Sequence, residues 1–247
     1  LNKSAVTEQI PEPGGDITFA LTISNPTNAP LTLASLNNVA FGDLLDDENT
    51  AVFNNSCPNL STIPATESIS CQFSAIITGT PSNVTSQTIA TAEDDDGNRI
   101  QDNDAATVTI SNLAPTLDLT LTAMPTALEE PGGEVTFSLT IRNSSVADAV
   151  LLTSIVDSEL GNLVNQGKCL SLSTLAVNQT YRCDYQATIN GAANQSQEVT
   201  VSVNGVDEEE TAVSQTETVT ININPPAIYN LFLPLTANRL RPSDEPN

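Results

Sequence analysis

The chain has 247 residues, 30 acidic and seven basic, a formal charge of −23 and no histidine. Its few cations (Lys3, Arg99, Arg142, Lys168, Arg182, Arg239 and Arg241) cannot assemble a basic patch, so nucleic acid is excluded as a partner and an anionic membrane surface would repel the chain. No run of 18 apolar residues exists, which excludes direct membrane insertion by a helix.

The length fits two ordinary domains, and 4% aromatic content without tryptophan demands aliphatic cores. Frequent Thr, Val and Ile, punctuated by Pro and Gly, favour short strands joined by turns. No signal peptide is visible, which for an exported protein corresponds to the processed form.

In chain order, residues 1–10 read as a first edge strand. Glu12-Pro13-Gly14-Gly15 then turns into residues 16–24, where Ile17, Phe19, Leu21 and Ile23 alternate with polar or small residues. A period of two marks a strand with one buried face. Leu31–Leu36 alternates again, with Leu31, Leu33 and Ser35 assigned to one face. A loop-rich stretch, 37–64, carries Asp43, Asp46, Asp47 and Glu48. Residues 71–77 form another strand, with Cys71, Phe73, Ala75 and Ile77 on one face. Residues 85–92 and 106–111 supply two more, around an acidic turn.

After a short linker, 112–116, the order repeats. Glu130-Pro131-Gly132-Gly133 and the strand to Ile141 return about 118 residues after their first occurrence. Leu117–Leu121 is the entering strand, 151–155 matches 31–36, and Cys183–Ile189 matches Cys71–Ile77. Thr218–Ile221 is matched to Thr107–Ile110. The expected architecture is all-β: two tandem antiparallel sandwiches, 1–113 and 114–224, followed by a tail, 225–247.

The four cysteines lie at equal spacing, 14 residues apart in each module, which argues for Cys57–Cys71 and Cys169–Cys183 disulfides. Paired cysteines in small modules point to an oxidising compartment. A zinc site is the rival reading, but neither pair has CxxC spacing and there is no histidine.

The Glu-Pro-Gly-Gly-x-x-Thr-Phe strand, the Leu-Thr-Leu strand, the Cys pair, the Asp-Asp-Asp-Gly-Asn turn and the closing Ala-Thr-Val-Thr-Ile strand resemble the Ig-like repeats of bacterial surface and secreted proteins, over residues 1–224. That resemblance implies β-sandwiches used in stalks, adhesins and filaments, and does not imply an active site. The second module departs from it at Val206–Glu210, where the acidic turn has no Gly or Asn. The apolar Leu-Pro-Leu segment of the tail resembles the ends of exported proteins of Chloroflexota-type bacteria.

Catalysis by Ser-His-Asp or Cys-His is excluded by the missing histidine. The acids sit in turns, and no aromatic cleft is available for a sugar, so the chain is read as a non-enzyme. Asp94, Asp95, Asp96, Asn98, Asp102 and Asp104 gather hard oxygen ligands around a Gly turn, which suits calcium; the competing reading is a solvated hairpin. No other cofactor is expected. Asn-x-Ser/Thr sequences at Asn54, Asn59, Asn83, Asn143, Asn178 and Asn194 would mark surface loops if glycosylated.

In the tail, Tyr229, Leu231, Leu233 and Leu235 share one face of an extended strand, with Ile228 and Phe232 on the other. Exposed, such a strand would aggregate. Three readings stand: donation to a neighbouring copy, packing on its own second module, or a sorting tag. The first makes the chain a homopolymer-forming subunit of an extracellular filament at the cell surface. A passive stalk and a calcium-ordered adhesin for glycan or protein are the alternatives.

Overall fold

The computed structural model describes residues 1–227; the expected assembly strand at Ile228, Tyr229, Leu231, Phe232, Leu233 and Leu235 lies outside them. The described chain is all-β, two tandem sandwiches with one disulfide each. The first contains β1 (Asn2–Ala5), β2 (Gln9–Pro11), β3 (Gly14–Ser24), β4 (Leu31–Asn38), β5 (Gly42–Asp43), β6 (Thr62–Ile63), β7 (Ser68–Thr78), β8 (Ser82–Glu93) and β9 (Arg99–Ser111). The second contains β10 (Leu117–Met124), β11 (Ala127–Glu129), β12 (Gly132–Asn143), β13 (Val150–Asp157), β14 (Gly161–Asn162), β15 (Thr174–Leu175), β16 (Thr180–Asn190), β17 (Gln195–Val206) and β18 (Ala212–Asn224).

In the first module a sheet of order β1-β3-β7 faces one of order β2-β9-β8-β4-β5, with β6 also on β4. The second repeats this as β10-β12-β16 against β11-β18-β17-β13-β14, with β15 on β13. Ile17, Phe19, Leu21 and Ile23 all face the first core, and Val135, Phe137, Leu139 and Ile141 the second, as the period of two requires. Phe19 stacks on Phe73 at 5.2 Å between ring centroids, and Phe137 on Tyr185 at 5.2 Å. The buried apolar residues fall into two clusters, one from Ile10 to Ile110 and one from Leu117 to Ile223. The disulfides are Cys57–Cys71 and Cys169–Cys183.

Three sequence expectations are corrected. Residues 1–10 are not one strand: β1 pairs antiparallel with β3, and β2 crosses over to pair parallel with β9 in the opposite sheet. A single strand cannot serve two sheets that face each other, so the chain breaks at 6–8. In β4 a bulge between Leu33 and Ser35 turns Leu36 (0% exposed) into the core and leaves Ser35 half-buried. A bulge adds one residue to one side of the ladder, so strict alternation fails there.

The third correction concerns the closing strands. β2 aligns Ile10 with Ile110, whereas β11 aligns Leu128 with Ile223. Ile110 therefore corresponds to Ile223, not to Ile221, and Val108 corresponds to Ile221. Both strands read Thr-Val-Thr-Ile, but burial and pairing, not identity, set the register.

Candidate functional site

The hairpin between β8 and β9 holds the acids expected to bind calcium. Asp94 closes the turn itself: its Oδ1 accepts from the amides of Asp96 (3.0 Å) and Asn98 (2.8 Å), and its Oδ2 from Asn98 Nδ2 (2.8 Å). These hydrogen bonds, that from the Asn98 side chain first, hold its carboxyl below the usual range. Asp95, Asp96 and Asn98 are exposed. Asp102 accepts from the N-terminal ammonium at 2.6 Å, and Asp104 from the Lys3 amide at 2.7 Å. Among the described residues these acids are not brought together as a trio of carboxylates.

The second module builds the same turn from different residues. Asp207 Oδ1 accepts from the amides of Glu209 (3.0 Å) and Thr211 (2.6 Å), as Asp94 does from Asp96 and Asn98. Glu210 takes φ 65° where Gly97 takes φ 81°. The sequence shows a departure at 206–210, yet the backbone repeats. A left-handed residue normally calls for Gly, and this glutamate adopts the conformation without one.

The two turns lie at different places along the molecule. Asp94–Asn98 is at the end of the first module that lies away from the linker. Asp207–Thr211 is at the junction, where Asn112 Nδ2 donates to Thr211 Oγ1 (2.8 Å). The linker is tied at both ends. Leu113 N–H donates to Glu12 Oε1 (2.8 Å), and Thr116 N–H donates to Ser145 Oγ (3.0 Å).

At this junction Glu12, Asp148 and Glu209 bring carboxylate oxygens within 4.8 Å of one another. Glu12 comes from the Glu-Pro-Gly-Gly turn of the first module and is 3% exposed. Asp148 sits in the loop between β12 and β13. Asn143 (0% exposed) pins that loop through Nδ2 donating to the Asp148 carbonyl (2.8 Å) and to the Leu175 carbonyl (2.8 Å). Asn143 thus ends its strand as an internal fastener, and not as the surface acceptor its Asn-x-Ser sequence suggested. Burial first, and then the Glu12 charge, raise Asp148 above the usual carboxylate range. No local pattern joins Glu12, Asp148 and Glu209; only the folding of two modules end to end does.

The outer end of the first module carries a groove of about 240 Å³ lined by Leu1, Ile23, Leu31, Ile63, Ala90 and Ala92, among others. In the second module Ile141, Val150, Leu175 and Val203 occupy the corresponding core positions, and Leu117 (3% exposed) completes that cluster. Leu117 pairs with Asn143 at the start of β10, whereas β1 begins at Asn2 opposite Thr22. Thr22 corresponds to Thr140, which faces Thr120. Asn2 therefore takes the register position that Thr120 takes in the second module.

No protein-family model matches the chain, and no curated protein matches it. Solved structures similar to it include the CupB2 chaperone of Pseudomonas aeruginosa, at 10% identity and TM-score 0.28 over 87% of this chain and 99% of that one. The DraB chaperone of E. coli is 8% identical, TM-score 0.28, over 90% and 98%. A CsuC–CsuE chaperone–tip adhesion subunit complex of Acinetobacter baumannii is 11% identical, TM-score 0.27, over 88% and 94%. Likeness at these scores carries no conclusion about the role of this chain.

Proposed function

We propose that this chain is a non-catalytic, secreted structural subunit at the cell surface, and that copies assemble head to tail. Residues 228–235 of one copy enter the outer groove of the first module of the next. The observation that carries this reading is that this groove is lined by apolar side chains, Ile23, Leu31, Ile63 and Ala92 among them, which suit the apolar face of the tail segment.

Leu231, Leu233 and Leu235 repeat the spacing of Leu117, Leu119 and Leu121, and both sets follow a proline-containing stretch. The segment that would enter the next copy thus has the alternation of the strand that already enters the second module. Its starting point suits the role. β18 delivers the chain to Asn224 beside Glu129, at the end of the second module away from Leu117. Asn224 and the groove lie at opposite ends of the described residues, so a contact between copies would be heterologous and would not close on itself.

The other features of the two ends support the same reading. The outer end of the first module presents the Asp94 turn, counterpart of the Asp207 turn at the junction. The outer end of the second presents Glu130, counterpart of Glu12, with its amide likewise donating to the closing strand: Glu130 to Asn224 (2.9 Å) and Glu12 to Ser111 (3.0 Å). A head-to-tail contact would therefore resemble the junction inside each copy. The two disulfides support an oxidising, extracellular location.

The test is electron microscopy of the full chain beside a version ending at Asn224 and beside Leu233→Asp. Filaments from the full chain and single particles from both variants are expected. Filaments that survive truncation would overturn strand donation. Single particles from all three would leave the passive stalk as the better reading.

A further inference from the structure

We propose that Glu12, Asp148 and Glu209 hold a calcium ion that ties the two modules together. The proposal is independent of strand donation, because all three residues lie inside one copy.

An acidic cluster alone would not carry it; the decisive feature is Asp148. This residue is 8% exposed, and its Oδ2 is buried with no hydrogen-bond donor among the described residues. It is aimed at the two other carboxylates, all within 4.8 Å. A buried carboxylate oxygen without a partner is costly, and like charges at this distance add to the cost. The fold nevertheless holds Asp148 there through Asn143.

Among the described residues no cation forms an ion pair with these carboxylates. The ion pairs among the described residues are Leu1 with Asp102, Arg99 with Glu93 and Arg142 with Asp118, all elsewhere. Asp207 adds a further negative charge nearby while its Oδ1 is occupied by the amides of Glu209 and Thr211. Glu12 uses Oε1 on the Leu113 amide and keeps its other oxygen. Among the described residues no ion pair supplies positive charge to the site.

The donor set selects the ion. All the ligands are oxygens, there is no histidine, and the cysteines are in disulfides, so a hard cation fits and zinc does not. Three carboxylates from three separate loops form an irregular, incomplete shell. Calcium accepts such a shell and completes it with carbonyls or water, whereas magnesium demands a near-ideal octahedron. Because Glu12 belongs to the first module and the other two to the second, the ion would also fix the angle between them.

The experiment uses the whole chain, stripped with chelator, titrated with calcium chloride and then magnesium chloride by calorimetry, with melting temperature followed in parallel. One calcium per chain, a raised melting temperature and weaker magnesium binding are expected. Glu209→Gln alters an exposed side chain, so the fold tolerates it; it should weaken calcium binding by about tenfold or more. Asp148→Asn should abolish binding. The double variant D95N/D96N, in the other acidic turn, should bind as the parent does. Absence of binding in the parent, unchanged affinity in Glu209→Gln, loss in D95N/D96N instead, or tighter magnesium binding would each overturn the assignment. If Asp148→Asn does not fold by circular dichroism, Glu209→Gln decides.

Discussion

Lys3 Nζ lies 4.4 Å from the centroid of the Phe19 ring, inside the first module. Its register partner is Leu21, as Leu139 is for Leu121, so a lysine occupies the core position that a leucine occupies in the second module. Around it the strands have changed in step. Ser86 and Thr88 accept from Nζ at 2.7 and 3.1 Å, where the second module has Val199 and Val201. Asn38 Nδ2 donates to the same two hydroxyls. A buried ammonium is held by hydroxyls and aromatic faces instead of by a carboxylate in direct contact.

Burial lowers the Lys3 pKa from 10.5 to about 8, against a smaller upward pull from Asp104. Between those values the unfolded chain carries the proton and the folded chain does not, so stability rises with pH across that window. The gain is on the order of 3 kcal/mol. Above pH 10 the raised pKa of Tyr181 and Tyr185 acts the other way, because the unfolded chain then loses protons first. Urea unfolding from pH 7.5 to 10 should show the rise, and Lys3→Met should flatten it. An equal slope in Lys3→Met would remove Lys3 as the cause.

The two glycines of each Pro-Gly-Gly turn are not equivalent. Gly14 has φ +101°, and a Cβ there would stand 2.1 Å from the Ile77 carbonyl oxygen; at Gly15 it would meet nothing within 4 Å. Gly14→Ala should cost roughly 3 kcal/mol or more, and Gly15→Ala within about 0.5 kcal/mol. Gly132→Ala should behave as Gly14→Ala does, since its Cβ would stand 2.0 Å from the Ile189 carbonyl oxygen. Thermal melts of the three variants measure this, and similar losses at Gly14 and Gly15 would contradict it.

Tyr185 donates its hydroxyl to Asp157 Oδ2 at 2.6 Å in the second core, where the first module has Phe73 and Asn38 at the corresponding positions. Asp157 is 1% exposed, and its Oδ1 is occupied by the amides of Glu159 and Leu160. Tyr185→Phe leaves a buried carboxylate oxygen without that donor and should cost about 1–3 kcal/mol. A urea midpoint equal to that of the parent would show that water replaces the hydroxyl.

Each disulfide closes a loop of sequence separation 14 onto the strand paired with β3 or β12. Replacing either pair by alanine should cost roughly 3 kcal/mol, read as a lower denaturant midpoint for that module. Equal midpoints for oxidised and reduced chain would refute the estimate.

The sequence by itself determined the long strands, the tandem repeat and the disulfides. These depend on short-range regularities: a period of two, a fixed Cys spacing, a Gly-rich turn. It did not reveal that residues 1–10 divide between two sheets, that Ser35 yields its inward place to Leu36, or that Ile110 corresponds to Ile223. Those depend on pairing partners and on a bulge. The Asp207 turn was hidden because Glu210 adopts a conformation its side chain does not advertise. Of the acids legible as a ligand cluster, Asp94 is spent on its own hairpin and Asp102 and Asp104 on the N-terminal strand, while Asp95 and Asp96 are exposed. The trio that converges, Glu12, Asp148 and Glu209, is spread across both modules. Only the tertiary structure decided it, because carboxylates that far apart in sequence meet when two folded domains are set end to end.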